Sequence, residues 1–183
     1  MRHGDTLWTI GHSTRPWEDF VALLREHAIV CLVDVRRFAG SRRNPQYGPQ
    51  EMAPALAGEG IAYRPMPAFG GRRKPDEDSP NGAWRVAAFR GYADYMASDE
   101  FAAARAELMA LARAQRTAVM CAEAVWWRCH RRLIADDFTA RGWTVQHIMA
   151  PGKLQQHQLH PEARLHGDHL VYPLGGAAQE KLF

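Results

Sequence analysis

The sequence predicts an α/β domain with a mostly parallel sheet flanked by helices on both faces, a single three-layer unit over residues 1–183. Three observations lead there. Ile29 to Val35 (IVCLVDV) and Thr117 to Cys121 (TAVMC) are continuous apolar runs, the pattern of strands buried on both faces. Segments with helical spacing lie between such runs, and this alternation is how parallel strands are connected. The 183-residue length suits one domain, and no apolar run approaches the ~20 residues of a membrane span.

The elements follow in chain order. Leu7 to Ile10 is a short apolar run that ends in Gly11-His12-Ser13, a strand followed by a turn. Pro16 suits the first turn of a helix, with Ser13 or Thr14 as its cap, and Phe20, Leu23, Leu24 and His27 recur at helical spacing. After the second strand, Phe38 to Pro49 holds glycines, prolines and an SRRN cluster, so a loop is expected. Gln50 to Ala57 is a short helix and Ile61 to Arg64 a third strand. Gly70 to Gly82 (GGRRKPDEDSPNG) reads as a long, charged, mobile loop. Ala83 to Arg113 is helical with a break and a new cap near Ser98-Asp99. Arg128 to Arg141 is a helix that Gly142 ends, and Thr144 to Ile148 a further strand. Residues 151–183 form a polar tail, packed on the domain or extending from it, that carries His157, His160, His166 and His169.

Composition narrows the function classes. The N-terminus has no apolar core long enough for a secretory signal, so a cytoplasmic protein is expected. Cys31, Cys121 and Cys129 are read as reduced thiols rather than a disulfide set. No CxxC pair occurs, and neighbouring Cys129 and His130 rarely converge on one ion, so neither a metal nor another cofactor is expected. The net charge of +3 says less than its distribution. Between Arg36 and Lys74, eight basic residues face only Glu51 and Glu59. Such a field attracts phosphates or nucleic acid. An arginine- and alanine-rich chain would show the same excess without any such role.

In open α/β sheets, ligands bind beyond the carboxyl ends of the strands. Those ends carry His12 and Ser13, Asp34 and Arg36, Tyr63 and Arg64, Cys121 and Glu123, and His147. Each has a plain alternative. Asp34 can pair with Arg36, Ser13 can cap a helix, and His147 can be a hydrogen-bonded core histidine. The segment Val119 to Arg132 (VMCAEAVWWRCHRR) is the most unusual, with a carboxylate, two tryptophans, thiols, an imidazole and arginines at a strand-to-helix turn. Helix N-termini favour anions, and Arg128, Arg131 and Arg132 would strengthen that preference. A solvated basic helix packed by its tryptophans is the alternative.

Five blocks together carry a family resemblance. They are Thr9-Ile10-Gly11-His12-Ser13, Leu32-Val33-Asp34-Val35-Arg36, Gly70-Gly71, Cys121-Ala122-Glu123 with Cys129-His130-Arg131, and His147-Ile148. In this order they resemble the bacterial and archaeal domain of unknown function 488 family. The resemblance implies His12, Ser13, Asp34, Arg36, Glu123, Cys129, His130 and Arg131 as a shared polar set, and it implies no reaction.

Three functions remain in view. The first is a hydrolase of a nucleotide or nucleic acid, cleaving an N-glycosidic or phosphate bond. Glu123, Asp34, His12 and His130 are its catalytic candidates, with a carboxylate as general base. Ser13, Arg36, Arg42, Arg43 and Arg131 would hold the substrate, and Tyr63, Trp126 or Trp127 would stack on a base. The second is a rhodanese- or phosphatase-like enzyme with Cys121 as nucleophile. The loop after Cys121 lacks the small residues of an anion-wrapping turn, which weighs against it. The third is a nucleic-acid-binding module without catalysis. The expected partner is thus a nucleic acid or a phosphorylated small molecule, with no membrane, and the oligomeric state is open.

Overall fold

The computed structural model describes residues 5–175. The strands that position the site are β1 (Thr6–Gly11), β2 (Cys31–Asp34), β3 (Ala62–Pro65), β4 (Thr117–Cys121) and β5 (Thr144–Ala150). They lie in the order β3-β2-β4-β1-β5 and are all parallel. A sixth strand, β6 (Lys153–Gln156), adds antiparallel beside β5. The sheet is therefore mostly parallel, as the buried apolar runs predict.

Side chains alternate across the strands and feed two cores. On one face, Trp8, Ile10, Leu32 and Met120 pack against α1 (Trp17–Glu26) and α2 (Pro49–Gly58). On the other, Leu7, Val33, Val119 and Val145 pack against α3 (Ala87–Tyr95), α4 (Asp99–Ala114) and α5 (Arg131–Ala140). The helices form for local reasons as well. In α1, Glu18 and Asp19 sit in the first turn and Arg25 in the last, matching the helix dipole. Ser98 caps α4, its hydroxyl accepting from the Phe101 amide at 3.2 Å.

Three expectations need correction. Neither Ser13 nor Thr14 caps α1. Pro16 holds the N-cap position, and Ser13 adopts a left-handed backbone with φ of 49°. The loop after Gly70 is not free. Asp94 of α3 takes hydrogen bonds from the Asp76 amide, the Ser79 hydroxyl and the Asn81 amide group, and Asn81 is buried. Nor is the chain after Pro151 merely a polar tail. Besides β6 it forms a hairpin of β7 (Arg164–His166) and β8 (His169–Val171), and Leu170 and Tyr172 enter the core under α3 and α5.

The same segment completes a buried polar chain. Arg131 Nη1 donates to Thr9 Oγ1 at 3.0 Å, and Thr9 meets His147 Nδ1 at 2.6 Å. His147 Nε2 meets His157 Nδ1 at 2.9 Å, and His157 Nε2 meets Asp136 Oδ1 at 2.7 Å. Arginine can only donate at one end and the Asp136 carboxylate can only accept at the other, so with one proton on each ring every proton between them is fixed in direction. Thr9 donates to His147, His147 to His157, and His157 to Asp136. His147 must then be neutral. Burial, then the neighbouring His157 and Arg131, push its pKa down to about 2. The unfolded chain protonates His147 near its ordinary 6.5 and the folded chain does not. Stability is therefore full above that value and falls as pH drops toward the folded pKa, with a slope of up to about 1.4 kcal/mol per pH unit per such histidine. Urea melts between pH 7 and pH 5 test this, and His147→Gln should flatten the slope. An unchanged slope would rule out His147 as the acid-sensitive group.

Candidate functional site

A cavity of about 300 Å³ opens at the carboxyl ends of β2 and β4. Arg36, Arg37 and Phe38 line it from beyond β2, Gly71 and Arg72 from the loop after β3, and Phe89 and Tyr92 from α3. Cys121, Glu123, Arg128, Cys129 and His130 come from the turn between β4 and α5. The cavity lies at the edge of the sheet to which the strand-end argument points.

Two thiols meet in this cavity. Cys121 Sγ and Cys129 Sγ are 2.8 Å apart. His130 Nε2 donates to the Val35 carbonyl at 3.0 Å, which leaves Nδ1 as an acceptor 3.5 Å from Cys129 Sγ. The Arg131 amide, at the start of α5, points at the same sulfur from 3.5 Å. Burial alone would raise the Cys129 thiol. The hydrogen bond from Cys121 and the charge and amide of Arg131 outweigh it and bring its pKa down to about 7. Cys121 moves the other way, pushed up by burial and by its bond to Cys129. Burial also lowers His130, so the imidazole is neutral and able to take a proton. A Cβ on Gly71 would lie 3.1 Å from His130 Nδ1 and crowd the imidazole.

Asp34 and Arg36 form a buried two-point pair, Nε to Oδ1 at 2.9 Å and Nη2 to Oδ2 at 2.7 Å. Tyr63 donates to Asp34 Oδ2 at 2.5 Å, and Arg36 also donates to the Tyr47 carbonyl at 2.8 Å. His12 Nδ1 donates to the Ser13 carbonyl at 2.8 Å, so Nε2 accepts from Arg36 Nη1 at 3.2 Å. Its ring stacks on Tyr47, centroids 4.2 Å apart, and burial lowers its pKa. Of the five guanidinium protons, one on Nη1 is left for the cavity.

The predicted residues therefore separate. Arg36, Glu123 and His130 meet in the cavity, while His12, Asp34 and Tyr63 lie behind Arg36 as its supports. Asp34, saturated by Arg36 and Tyr63, is no free base, and Tyr63 is no free stacking ring. Arg131 is not a phosphate holder. It is 1% exposed and spends Nη2 on the Glu123 and Ala124 carbonyls at 2.7 and 3.4 Å. Trp126 stacks on His147 at 4.5 Å, and Trp127 and Ser13 lie outside the cavity lining. Arg42 and Arg43 are exposed in the loop after β2 and do not reach it either. Cys121 lines the site rather than serving only the core. Phe38 joins it unforeseen, and Arg37, Arg72 and Arg128 join it from the basic segments. The adjacency of Cys129 and His130 was the available signal. In the fold that adjacency makes a thiol–imidazole pair rather than a metal site. Among the described residues no group of three His, Cys, Asp or Glu is placed to hold a metal ion.

The family model for the domain of unknown function DUF488 matches residues 16–138, more than half of the chain. The chain belongs to the DUF488 family. The match runs from α1 into α5 and so includes the whole cavity lining. No curated protein and no solved structure matches the chain. Among the described residues, no helix is long and apolar enough to cross a membrane.

Proposed function

We propose that this DUF488 protein is a cysteine-dependent hydrolase of a phosphate-bearing small molecule, with Cys129 as nucleophile and His130 as its base. The observation that carries this reading is the ordered set Cys129 Sγ, His130 Nδ1, His130 Nε2 and Val35 carbonyl at 3.5 and 3.0 Å. A nucleophile, a base and a group that orients the base are the parts of thiol catalysis. Arg37, Arg72, Arg128 and the last Arg36 proton hold the anion, in place of the loop amides that an anion-wrapping turn would supply. Phe38 is 66% exposed, with the guanidinium groups of Arg37 and Arg72 5.6 and 5.7 Å from its ring centre, and offers its ring to a base. A nucleotide fits both walls.

The steps follow from the geometry. His130 takes the Cys129 proton. The thiolate attacks phosphorus, the ester P–O bond breaks, and the alcohol leaves with the proton from His130. Glu123 is exposed at the cavity and its carboxylate has no partner among the described residues. It takes a proton from the water that then attacks phosphorus and breaks the P–S bond. The chemistry needs reduced thiols, which supports a cytoplasmic setting.

Burst kinetics with p-nitrophenyl phosphate and a set of nucleoside monophosphates test the roles. Cys129→Ser should abolish the burst. Glu123→Gln should keep the burst and slow steady turnover about a hundredfold, the worth of a positioned general base. The burst rate should rise with pH and level off above about 7, as the thiolate forms. Turnover by Cys129→Ser at the parent rate would overturn the cysteine reading and leave Glu123 acting alone.

A further inference from the structure

We propose that Cys121 and Cys129 form a reversible intramolecular disulfide inside the cavity, with a small hydroperoxide as the oxidant. This concerns regulation of the same site and shares Cys129 with the reading above, but its test does not depend on turnover.

Hydrolysis by Cys129 and His130 does not need a second thiol, yet Cys121 Sγ lies 2.8 Å from Cys129 Sγ. A disulfide bond is about 2.05 Å long, so the two sulfurs need close by less than about 1 Å. Both are in the cavity lining, at 2% and 7% exposure, where a small peroxide can reach them. The pair is also asymmetric, as exchange and oxidation chemistry require. Cys129 has its base in His130 and a helix-start amide, and Cys121 is held as a neutral thiol by burial. Cys31 is no competitor. It pairs in register with Thr117, four residues before Cys121 on β4, which puts it about 13 Å away along the strand.

The reaction balances in two steps. The Cys129 thiolate attacks one peroxide oxygen, the O–O bond breaks, and the other oxygen leaves as hydroxide or alkoxide that picks up the thiol's former proton. Cys129 is now a sulfenic acid. Cys121 sulfur then attacks Cys129 sulfur, the S–S bond forms, the S–O bond breaks, and hydroxide leaves as water with the Cys121 proton. The two thiols lose two electrons in total and the peroxide gains them. A dithiol reductant reverses the change. The disulfide ties up the nucleophile, so the oxidised protein cannot turn over.

Stoichiometric hydrogen peroxide followed by denaturation, alkylation and peptide mass mapping reads the outcome. The expected result is a loss of two of the three alkylatable thiols, a mass lower by two hydrogens, and a linked peptide pair holding Cys121 and Cys129. Dithiothreitol should restore all three thiols. Cys31→Ser should behave as the parent at both sites, and Cys121→Ser should leave a Cys129 sulfenic acid that dimedone traps. The inference is overturned if excess peroxide yields only sulfinic or sulfonic acid on Cys129, if neither thiol oxidises, or if the linked partner is Cys31. Should Cys121→Ser fail to fold, the peptide map of the parent decides by itself. Failure of the hydrolase reading shows instead as an absent burst in the fully reduced protein.

Discussion

Asp34→Ala should destabilise the protein by about 3–5 kcal/mol, the cost of leaving one member of a buried ion pair without its counter-charge. Arg36 is 8% exposed and Asp34 is 2% exposed, so water cannot take over the lost carboxylate contacts. Four hydrogen bonds are lost at once, namely two from the guanidinium, one from the Arg36 amide and one from the Tyr63 hydroxyl. The guanidinium would also lose its fixed orientation toward His12 and the cavity. Tyr63→Phe removes only one hydrogen bond and should cost about 1 kcal/mol. The double variant Asp34→Ala with Arg36→Met should recover much of the loss, because no buried charge is then left alone. Equilibrium urea unfolding measures all three. A loss below 1 kcal/mol for Asp34→Ala would show that Arg36 is better solvated than its burial indicates.

Gly11→Ala should have the second large effect. A Cβ at this position would lie 1.7 Å from the Glu123 carbonyl oxygen and 2.6 Å from its carbon, both backbone atoms. No rotamer relieves such a clash. The turn after β4 is also pinned here, by His12 and Ser13 amides on the Cys121 and Ala122 carbonyls at 2.9 Å each and by Arg131 on the Glu123 carbonyl. Separating the two turns would break those bonds. The expected cost is about 3 kcal/mol, the upper end of ordinary overpacking. Because Cys121 and Glu123 lie on the displaced turn, the variant should also change the alkylation rate of Cys129 in the folded protein. A variant as stable as the parent, with the same alkylation rate, would mean the turn can move freely away from β1.

Most of the architecture was legible because buried parallel strands leave continuous apolar runs such as IVCLVDV and TAVMC. The short helices were legible from spacing alone. The strands after Pro151 were not. Lys153 to Gln156 is exposed and polar, and it becomes a strand only because the edge of β5 offers it hydrogen bonds. At the site, the carboxyl ends of the strands led to the region where the cavity lies, but residue type could not say which polar groups were already spent. Asp34, His12 and Arg131 look like chemistry in the sequence and serve one another or the backbone in the fold. Cys129 and His130 show the reverse. Cys129 is extended, with φ of −125° and ψ of 152°, and His130 begins the helical region at −58° and −14°. That change of backbone turns two neighbouring side chains toward each other, which no spacing rule anticipates.

The place of β1 bears on how the protein is made. It is the earliest strand of the described chain to be synthesised, yet its neighbours in the sheet are β4 and β5. Residues Thr9 and His147, which share a hydrogen bond, are 138 positions apart. On a ribosome adding 5–20 residues per second, β1 therefore waits on the order of ten seconds for both partners to emerge. During that interval its apolar side chains have no sheet to enter, and they are a natural target for a holding chaperone. The cavity itself takes shape only once β4 and the turn after it have been made, since they supply Cys121, Glu123, Cys129 and His130.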